Sequence, residues 1–568
     1  MAWGSDAVAA MLQRLELPFI CLNPGASYRG LHDSLVNYLG SEGPGLILCL
    51  HEEHAVAIAH GYAKVTERPL AVALHSNVGL MHATMALFNA FCDRVPMVVI
   101  GATGPVDATA RRPWIDWIHT AADQGALVRD YVKWDDQPAS PAAAVEALAR
   151  GHLLTCTDPP APVYICLDAG MQEAPLAEPV ALPDPARHRP PAPSTPSAEQ
   201  VDAAAALLAQ ARRPLLLVGR VGRGEAEWAE RIELVERTGA RVLTDLKVGA
   251  GFPTRHPAHP ADPGTFLTAA GRELVRAADV IVSLDWVDLA GTLRQAYGDE
   301  LVEAEIVHCS VDFTLHRGWS KDHFALAPVD VAIAAHPDRL VGALLARVAA
   351  GHADGADGWA GRAIAAAPGQ TPGPGEIGIG RLAADLSAAL AGQSACLVRL
   401  PLGWQGADLD VAHPLDYLGQ DGGAGLGSGP GMAVGAALAL RDDERLAVAV
   451  LGDGDLLMGA SALWSAARYR LALLVVVANN RSFYNDEVHQ ERVARVRGRP
   501  VENRWIGQHI RDPDPDLAAL ARSLGLEGRG PVTDPAELEP TLVEAVRTAA
   551  AGAAVVVDVR VTPSGASK

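Results

Sequence analysis

The sequence predicts three doubly wound α/β domains, each built on a parallel sheet. The chain has 568 residues, which is too many for one hydrophobic core. Short apolar runs of strand length alternate with stretches of helical periodicity, an order typical of parallel sheets. Segments rich in Pro or Gly interrupt this alternation at 178–196 and 351–376. We therefore expect domains at 1–177, 197–350 and 377–568, joined by two linkers.

Composition excludes several classes of function. The formal net charge of −20 argues against nucleic acid or an anionic membrane as a partner, because both need a basic surface. The seven cysteines form no CxxC pair, so we predict neither a zinc site nor a disulfide framework, and we expect a reducing, cytoplasmic setting. No signal peptide is expected, and no apolar run approaches the ~20 residues that a membrane helix needs. A small-molecule substrate is the expected partner.

The first domain has predicted strands at 19–22, 45–50, 70–74 and 97–100. The turn 23–25 (Asn-Pro-Gly) follows the first strand, and residues 51–54 (His-Glu-Glu-His) follow the second and begin a helix. Residues 75–77 (His-Ser-Asn) follow the third strand. The pattern is that of a parallel, doubly wound domain.

The middle domain has predicted strands at 214–218, 241–243, 280–284 and 305–311. Its first helix begins at a capping box formed by Ser197 and Gln200. The first strand runs into GRVGRG (219–224), which carries Arg220 and Arg223. This turn could bind a dinucleotide, but its glycines depart from the full fingerprint and no ribose-binding acid follows the next strand. A structural turn is the favoured interpretation.

The third domain contains the most informative stretch, which ends on Asn479 and Asn480. We expect a helix near 377–390, strands at 396–400 and 446–451, and a glycine cluster at 422–431, an architecture shared with the first domain. The turn 452–454 (Gly-Asp-Gly) leads to a helix opening near Leu456 and then to a second apolar strand. Asp453 and Asn480 should lie side by side at the carboxyl ends of neighbouring strands. The stretch predicts a clamp for Mg²⁺ and a diphosphate; the alternative is a tight turn in a buried βαβ unit.

The spacing of this clamp resembles the signature of thiamine-diphosphate enzymes of the pyruvate-oxidase-like group. Asp453 and Asn480 are 27 positions apart, and the asparagine is paired. The resemblance covers nearly the whole chain, with the domain order of benzoylformate decarboxylase, acetolactate synthase and oxalyl-CoA decarboxylase. It implies a pyrimidine-binding domain, a central Rossmann-like domain and a diphosphate-binding domain. It also implies a homodimer or homotetramer with active sites at the subunit interface.

The same resemblance implies cofactors and the residues that hold them. Thiamine diphosphate and Mg²⁺ are the expected cofactors. The side chains of Asp453 and Asn480 and the carbonyl of Ser482 would bind the metal. The family also wedges a large apolar residue beneath the thiazolium ring; the alignment places Ser428 there and Leu426 close by, which leaves the wedge unassigned. The implied cofactor-binding residues are Glu52, Leu426, Gly452, Asp453, Gly454, Asp455, Asn480 and Ser482.

Glu52 and His75 are the candidate catalytic residues of the first domain. Glu52 lies nine positions before Gly61, in a spacing that resembles the family's E…GYA motif and implies a carboxylate facing the aminopyrimidine. The alternative is an acid favoured by the positive end of a helix. His75 lies in ALHSNVG, which is closest to benzoylformate decarboxylase and implies an acid or base at the substrate. A hydrogen-bonded structural histidine is the other interpretation.

Two local features bear on the substrate. Benzoylformate decarboxylase has a serine for the substrate carboxylate directly after the Asn-Pro-Gly turn, but here Ala26 has that place and Ser27 follows. Asp486 and Glu487 fall where family members face the reacting carbon. A carboxylate there would repel a 2-oxo acid but could accept a hydroxyl proton. Glu487 is our catalytic candidate, and an exposed acidic loop is the alternative.

The favoured activity is that of a thiamine-diphosphate- and Mg²⁺-dependent 2-hydroxyacyl-CoA lyase, which yields an aldehyde or ketone and formyl-CoA. Arg220 and Arg223 would then lie where related CoA enzymes bind an adenine nucleotide; a vestigial FAD site stays open as well. The alternative is a 2-oxo acid decarboxylase or carboligase of the benzoylformate decarboxylase or acetolactate synthase type. A regulatory relative without turnover is disfavoured by the intact Glu52, Asp453 and Asn480. An NAD-dependent dehydrogenase built on GRVGRG is more distant still.

Overall fold

The computed structural model describes residues 1–312, 326–349, 359 and 375–563. These residues form three sheets in which every strand pair is parallel. The predicted fold class, three doubly wound α/β domains, is thereby confirmed. Most of the predicted linker 351–376 lies outside the described residues.

The first sheet has the strand order β2-β1-β3-β4-β6-β5. The second strand ends at Leu48, earlier than predicted, and the fourth continues to Thr103; β5 and β6 add to the four predicted strands. The strands are β1 Phe19–Leu22, β2 Gly45–Leu48, β3 Leu70–Ala73, β4 Met97–Thr103, β5 Trp134–Asp136 and β6 Pro162–Asp168. The helices are α1 Gly4–Arg14, α2 Arg29–Asp33, α3 Glu52–Thr66, α4 Ser76–Cys92, α5 Ile115–Ile118, α6 Pro141–Thr155 and α7 Ala169–Glu173.

The second sheet has the order β11-β10-β9-β7-β8. The predicted strands are confirmed, although β10 ends two residues earlier than expected, and the capping box of Ser197 and Gln200 is present. The strands are β7 Pro214–Val218, β8 Arg241–Leu243, β9 Val280–Leu284, β10 Glu305–Cys309 and β11 Val331–Ile333. The helices are α8 Ala198–Gln210, α9 Glu225–Thr238, α10 Ala269–Ala277, α11 Leu289–Tyr297 and α12 Pro337–Leu345.

The third sheet has the order β12-β13-β14-β16-β15. The helix after the Gly-Asp-Gly turn begins at Asp453, not near Leu456, because its first turn already includes the turn residues. The strands are β12 Ala395–Arg399, β13 Leu446–Gly452, β14 Leu473–Asn479, β15 Glu527–Val532 and β16 Ala554–Arg560. The helices are α13 Ile379–Ala389, α14 Ser428–Ala439, α15 Asp453–Gly459, α16 Leu463–Tyr469, α17 Tyr484–Val496, α18 Leu517–Ser523 and α19 Pro535–Ala550.

The first and third sheets repeat one strand order. Without β2, the first sheet reads β1-β3-β4-β6-β5, which matches the third sheet strand for strand. Helices α3 and α14 have corresponding places and pack against each other reciprocally. A Cβ on Gly61 of α3 would lie 2.1 Å from the Met432 carbonyl oxygen of α14, and one on Gly435 of α14 would lie 2.0 Å from that of Ile58. The architecture that the sequence predicts for both the first and the third domain is therefore confirmed, and the two domains meet through α3 and α14.

The hydrophobic cores reflect this arrangement. One core is continuous from the first sheet through α3 and α14 to the third sheet. The middle sheet has a separate core on each face. Within the described ranges, no helix is both long enough and apolar enough to cross a membrane.

Candidate functional site

Asp453 and Asn480 lie at neighbouring strand ends of the third sheet. Gly452, the last residue of β13, pairs with Ala478 of β14. Asp453 begins α15 directly after β13, and Asn480 follows the end of β14. The Asn480 side-chain oxygen accepts a hydrogen bond from the Ser482 backbone N–H at 2.9 Å. The structure thus brings together the three predicted metal-binding residues.

The carboxylate of Asp453 is buried without full hydrogen bonding. Its Oδ2 is inaccessible and has no hydrogen-bond partner among the described atoms. Burial raises the pKa of Asp453 to about 6, against backbone hydrogen bonds that lower it. Asp558 on β16 also has a raised pKa, again chiefly through burial, and an unpartnered buried oxygen. A cation would relieve the cost of these buried carboxylates.

Asp455 faces the glycine cluster. One carboxylate oxygen accepts a hydrogen bond from the Gly427 N–H at 2.7 Å, and the other pairs with Arg399 at 2.8 Å. Gly427 has a φ of +99°, so this contact holds a backbone conformation that favours glycine. Leu426, the candidate wedge residue, precedes Gly427 and is 38% exposed. Asp455 therefore stabilises the cluster beside the clamp, and its predicted contact with a diphosphate stays a prediction.

Glu487 and Asp486 occupy different environments at the start of α17. Asp486 is exposed, whereas Glu487 is buried. The Glu487 carboxylate accepts a hydrogen bond from the Ser482 hydroxyl and lies 3.0 Å from Nε2 of His509 and 3.4 Å from Nε of Arg504. Glu487 thus links the predicted metal-binding loop to two basic side chains. Its role as a catalytic base stays a prediction.

Glu52 is the first residue of α3, just beyond β2, and is buried. Its Oε2 lies 3.0 Å from Nδ1 of His82 on α4. The other carboxylate oxygen packs against Gly79, one turn earlier on α4, where an alanine Cβ would lie only 3.1 Å from it. Helix α4 therefore determines where the Glu52 carboxylate lies.

His51 supports both Glu52 and His82. Its Nδ1 accepts the Glu53 backbone N–H at 3.1 Å and so caps α3. Its ring stacks on the ring of His82 at 4.9 Å between centroids and 25° between planes. His51, Glu52 and His82 each present a possible metal-ligand atom within 4.8 Å of the others. Because the two rings stack and the Nδ1 of His51 is occupied by the cap, we assign this group to the orientation of Glu52.

His75 lies at the end of β3 and contacts the turn that follows β1. Its Nδ1 is 2.9 Å from the Ser27 hydroxyl and accepts the Ser27 backbone N–H at 3.4 Å. The Ser27 hydroxyl oxygen in turn accepts the Ser76 N–H at 3.1 Å. Since Nδ1 accepts, the neutral ring carries its proton on Nε2. Gly25 makes this approach possible, because a Cβ there would lie 2.1 Å from that of His75.

A second histidine, His119, contacts His75. The two rings lie 4.7 Å apart at 72°. Burial is the main cause that lowers the pKa of His75, and repulsion by His119 adds to it. The segment that carries His119 is tied to α4 by a hydrogen bond from Asn77 Nδ2 to the Ile118 carbonyl at 3.2 Å. His75 is therefore held as a neutral donor at neutral pH.

The start of α3 faces both the first and the third sheet within one chain. Glu53 points toward the glycine cluster, where its carboxylate is 3.5 Å from the position of a Cβ on Gly427. Burial raises the pKa of Glu53, and the charges of Asp455 and Asp421 raise it further. Glu52 and Glu53 thus diverge, one toward α4 and the other toward the third sheet.

The two arginines of the glycine turn in the middle domain contact the other domains. Arg220 donates to the Cys92 carbonyl at 2.8 Å, and Arg223 donates to the carbonyls of Pro414, Tyr417 and Leu418. Both guanidinium groups therefore join domains. A cavity of about 200 Å³ lies beside the turn, but each arginine already has protein partners there. The favoured prediction of a structural turn agrees with these contacts.

Sequence reasoning missed His82 and His119. Each contacts a predicted catalytic residue only through tertiary structure, across 30 residues for Glu52 and His82. His82 carries one usable signal, since it lies one helical turn from Gly79 on α4. His119 follows a short helix in an irregular segment, and no periodic pattern indicates its direction.

Comparisons with known proteins agree on one family. The chain matches three domain models: the N-terminal binding domain of thiamine pyrophosphate enzymes at residues 2–127, their central domain at 201–315 and their C-terminal binding domain at 403–559. Each range falls within one predicted domain, and together they cover more than two thirds of the chain. The exact domain boundaries stay predictions.

Individual relatives span most of the chain. A Pseudomonas aeruginosa protein named "probable 2-ketoarginine decarboxylase" is 28% identical over 535 residues, 90% of this chain and 87% of that protein. The benzoylformate decarboxylase of the same organism is 28% identical over 544 residues, 88% and 89% of the two chains. A solved Rhodococcus jostii thiamine diphosphate-dependent 4-hydroxybenzoylformate decarboxylase superposes with a TM-score of 0.78 at 20% identity and full coverage of both chains, which shows the shared fold.

Proposed function

Because the chain belongs to the thiamine-diphosphate-dependent enzymes, of the decarboxylase and acetolactate synthase type, we propose that it decarboxylates a 2-oxo acid. The observation that carries the proposal is the Ser27–His75 pair. Although Ser27 comes one position later than the family serine, its hydroxyl lies 2.9 Å from Nδ1 of His75, and the ring keeps Nε2–H as a donor. The relatives named as 2-oxo acid decarboxylases support the same choice.

The residues of the third sheet fit thiamine diphosphate and Mg²⁺. The unpartnered oxygen of Asp453 and the side-chain oxygen of Asn480 are oxygen ligands of the kind that Mg²⁺ prefers. Asp453, Asn480 and the Ser482 carbonyl would hold the metal, with Gly452 and Gly454 at the diphosphate. When bound, thiamine diphosphate supplies a carbon nucleophile for the substrate carbonyl and accepts the electron pair released as the adjacent C–C bond breaks. Leu426 as the ring wedge is part of this proposal.

The protein's own side chains then bind the substrate and move protons. Glu52 would exchange a proton with a ring nitrogen of the aminopyrimidine. His75 would donate a hydrogen bond from Nε2 to the substrate's carboxylate or carbonyl oxygen and later supply the proton that replaces the lost carboxylate. A neutral imidazole suits both tasks, because it donates without holding the leaving carboxylate as a strong ion pair.

Two arguments for the 2-hydroxyacyl-CoA lyase weaken in the folded chain. Glu487 is paired with His509 and Arg504, so its charge would repel a 2-oxo acid much less than an isolated carboxylate would. Arg220 and Arg223 donate to protein carbonyls rather than to a nucleotide site. The lyase, together with an adenine nucleotide or CoA at the middle domain, nevertheless remains the second candidate, since the buried Glu487 could still receive a hydroxyl proton.

One substrate panel separates the candidates. The purified protein, loaded with thiamine diphosphate and Mg²⁺, is incubated separately with pyruvate, benzoylformate, 2-ketoarginine and a 2-hydroxyacyl-CoA. We expect carbon dioxide and an aldehyde from at least one 2-oxo acid. Formyl-CoA from the thioester, with no carbon dioxide from any 2-oxo acid, would replace our proposal by the lyase.

A further inference from the structure

Glu52 has a histidine partner that the proposed function does not use. Nδ1 of His82 lies 3.0 Å from Oε2 of Glu52, and the Glu52 side chain is 8% exposed against 50% for that of His82. Because a carboxylate only accepts, Nδ1 must carry the proton of this hydrogen bond. Removing the partner of a buried charge costs far more than removing an exposed ion pair. The contact is therefore significant for Glu52 even though His82 is half-exposed.

The surroundings restrict both members of this pair. Gly79 and His82 lie on one face of α4, and the Glu52 carboxyl group packs between them. The ring of His82 stacks on His51, which is itself fixed as the cap of α3. Two helices and a stacked ring thus hold the direction of one carboxylate, as a catalytic group requires.

We propose that His82 is a positioning residue that fixes the Glu52 carboxylate through its Nδ1–H. The inference rests on the proposed function, because it assigns a purpose to the orientation of Glu52. The Nδ1–H of His82 holds Oε2, so the carboxylate cannot rotate freely and would present one fixed direction to the aminopyrimidine. His82 itself need not touch the cofactor or substrate.

A matched pair of variants tests the geometry. In His82→Asn, the side-chain amide nitrogen occupies the place of Nδ1, one bond from Cγ. In His82→Gln, the amide nitrogen lies one bond farther along the side chain. Both variants keep an uncharged donor, so they differ mainly in where that donor lies. His82 is half-exposed, and we expect both variants to keep the melting temperature of the unchanged protein.

The readouts are cofactor binding and proton exchange rather than turnover. The dissociation constant of thiamine diphosphate is measured by calorimetry at saturating Mg²⁺. The exchange of the cofactor's reactive carbon-bound hydrogen for deuterium is followed by acid quench and NMR. We expect His82→Gln to slow this exchange about ten- to a hundredfold, the effect of losing a hydrogen bond to a charged group, and His82→Asn to remain within about threefold.

The outcomes separate this inference from the proposed function. Exchange at the normal rate in His82→Gln would overturn the inference. An equal slowing of exchange in His82→Asn and His82→Gln, at unchanged melting temperature, would also overturn it. Glu52→Gln is the reference variant. If Glu52→Gln leaves exchange unchanged, the proposed role of Glu52 itself is wrong. If His82→Gln lowers the melting temperature, His82→Leu is used in its place as the variant that lacks a correctly placed donor.

Discussion

At the scale of single residues, the site is characterised by histidines whose protonation the fold controls. Nδ1 of His75 accepts the Ser27 N–H, which leaves the proton on Nε2. The pKa of His75 is lowered by burial and then by the nearby His119. The neutral ring therefore persists to a lower pH than in a free histidine, and the donor that the proposed decarboxylation needs is available at neutral pH.

The lowered pKa of His75 predicts how the activity depends on pH. kcat/KM should fall on the acid side as His75 becomes protonated, at a pH below the ordinary histidine value of about 6.5. His119→Phe keeps a ring beside His75 but removes the repulsion, so the acid limb should move to higher pH. His75→Phe should lower kcat by roughly 10²- to 10⁴-fold, the usual contribution of an acid–base group. An acid limb in the same place for His119→Phe and the unchanged protein would contradict the assigned interaction.

The buried carboxylate of Asp453 should lower the stability of the cofactor-free protein, although the same carboxylate is predicted to bind the metal. Its pKa of about 6 lies above the unfolded value, so the ionised carboxylate destabilises the cofactor-free fold as pH rises from about 4 to 6. Without cofactor, Asp453→Asn should be more stable at pH 7.5 by up to about 3 kcal/mol, with no gain near pH 4. Thermal denaturation at both pH values measures this difference.

The same variant should lose its response to the cofactor. Thiamine diphosphate with Mg²⁺ should raise the melting temperature of the unchanged protein and leave that of Asp453→Asn nearly constant. An equal rise in both proteins would show that Asp453 does not hold the metal.

At the scale of elements, α3 and α14 join the first and third sheets of one chain. Each helix presents a glycine to the backbone of the other, and the hydrophobic core passes between the first and third sheets at this contact. Glu52 and Glu53 begin α3, and Gly427 directly precedes α14. The close approach of the two helices therefore sets the distance between Glu53 and the glycine cluster.

A glycine substitution tests this contact. In Gly435→Ala, the new Cβ would lie 2.0 Å from the Ile58 carbonyl oxygen, so the helices must separate. We expect the free energy of unfolding to fall by at least about 2 kcal/mol, as in other overpacked cores. The control is Gly380→Ala in the first turn of α13, where the nearest atom is 3.9 Å away and the substitution should change the free energy of unfolding by less than about 1 kcal/mol. Equal urea denaturation midpoints for both variants would contradict the close contact.

At the scale of the whole molecule, the question is whether each active site is formed by one chain or by two. Because the strand order is repeated, one chain has two sets of candidate site residues at the carboxyl ends of strands. One set includes Glu52 and His75 at the first sheet, and the other includes Asp453 and Asn480 at the third sheet. The family resemblance implies that each site combines the strand ends of the first sheet of one subunit with those of the third sheet of the other subunit in a homodimer. The assembly into a homodimer or homotetramer, with active sites at the subunit interface, stays a prediction.

Mixing two inactive variants tests the arrangement. Glu52→Gln and Asp453→Asn are denatured together, refolded in equal amounts and assayed. If sites are shared, half of the dimers are mixed and each mixed dimer has one intact site, so activity should return to about a quarter of normal. Sites within one chain would give no recovery. Each variant refolded alone is the control, together with the unchanged protein.

The sequence by itself determined the fold class and the adjacency of Asp453 and Asn480. Alternating strands and helices specify parallel sheets, and Asp453 and Asn480 follow two strands that are adjacent in both sequence and space. A strand end and a helix start at Glu52 can also be read from local patterns, but the catalytic role of Glu52 comes from the family resemblance and stays a prediction. Four of the five described strands of the middle domain were predicted to within two residues for the same reason, whereas β11 was not predicted.

Only the tertiary structure decided what surrounds these residues. The pairing of Glu52 with His82, of His75 with Ser27 and His119, and of Glu487 with His509 and Arg504 joins segments that no local pattern connects. Such contacts depend on how helices and loops pack over the carboxyl ends of the strands, where a shift of about an ångström changes the hydrogen-bond partners. Packing also showed that Arg220 and Arg223 donate to carbonyls of the first and third domains, which the sequence alone did not indicate. Secondary structure follows from periodicity, but the chemistry of a site follows from contacts that only the packed chain creates.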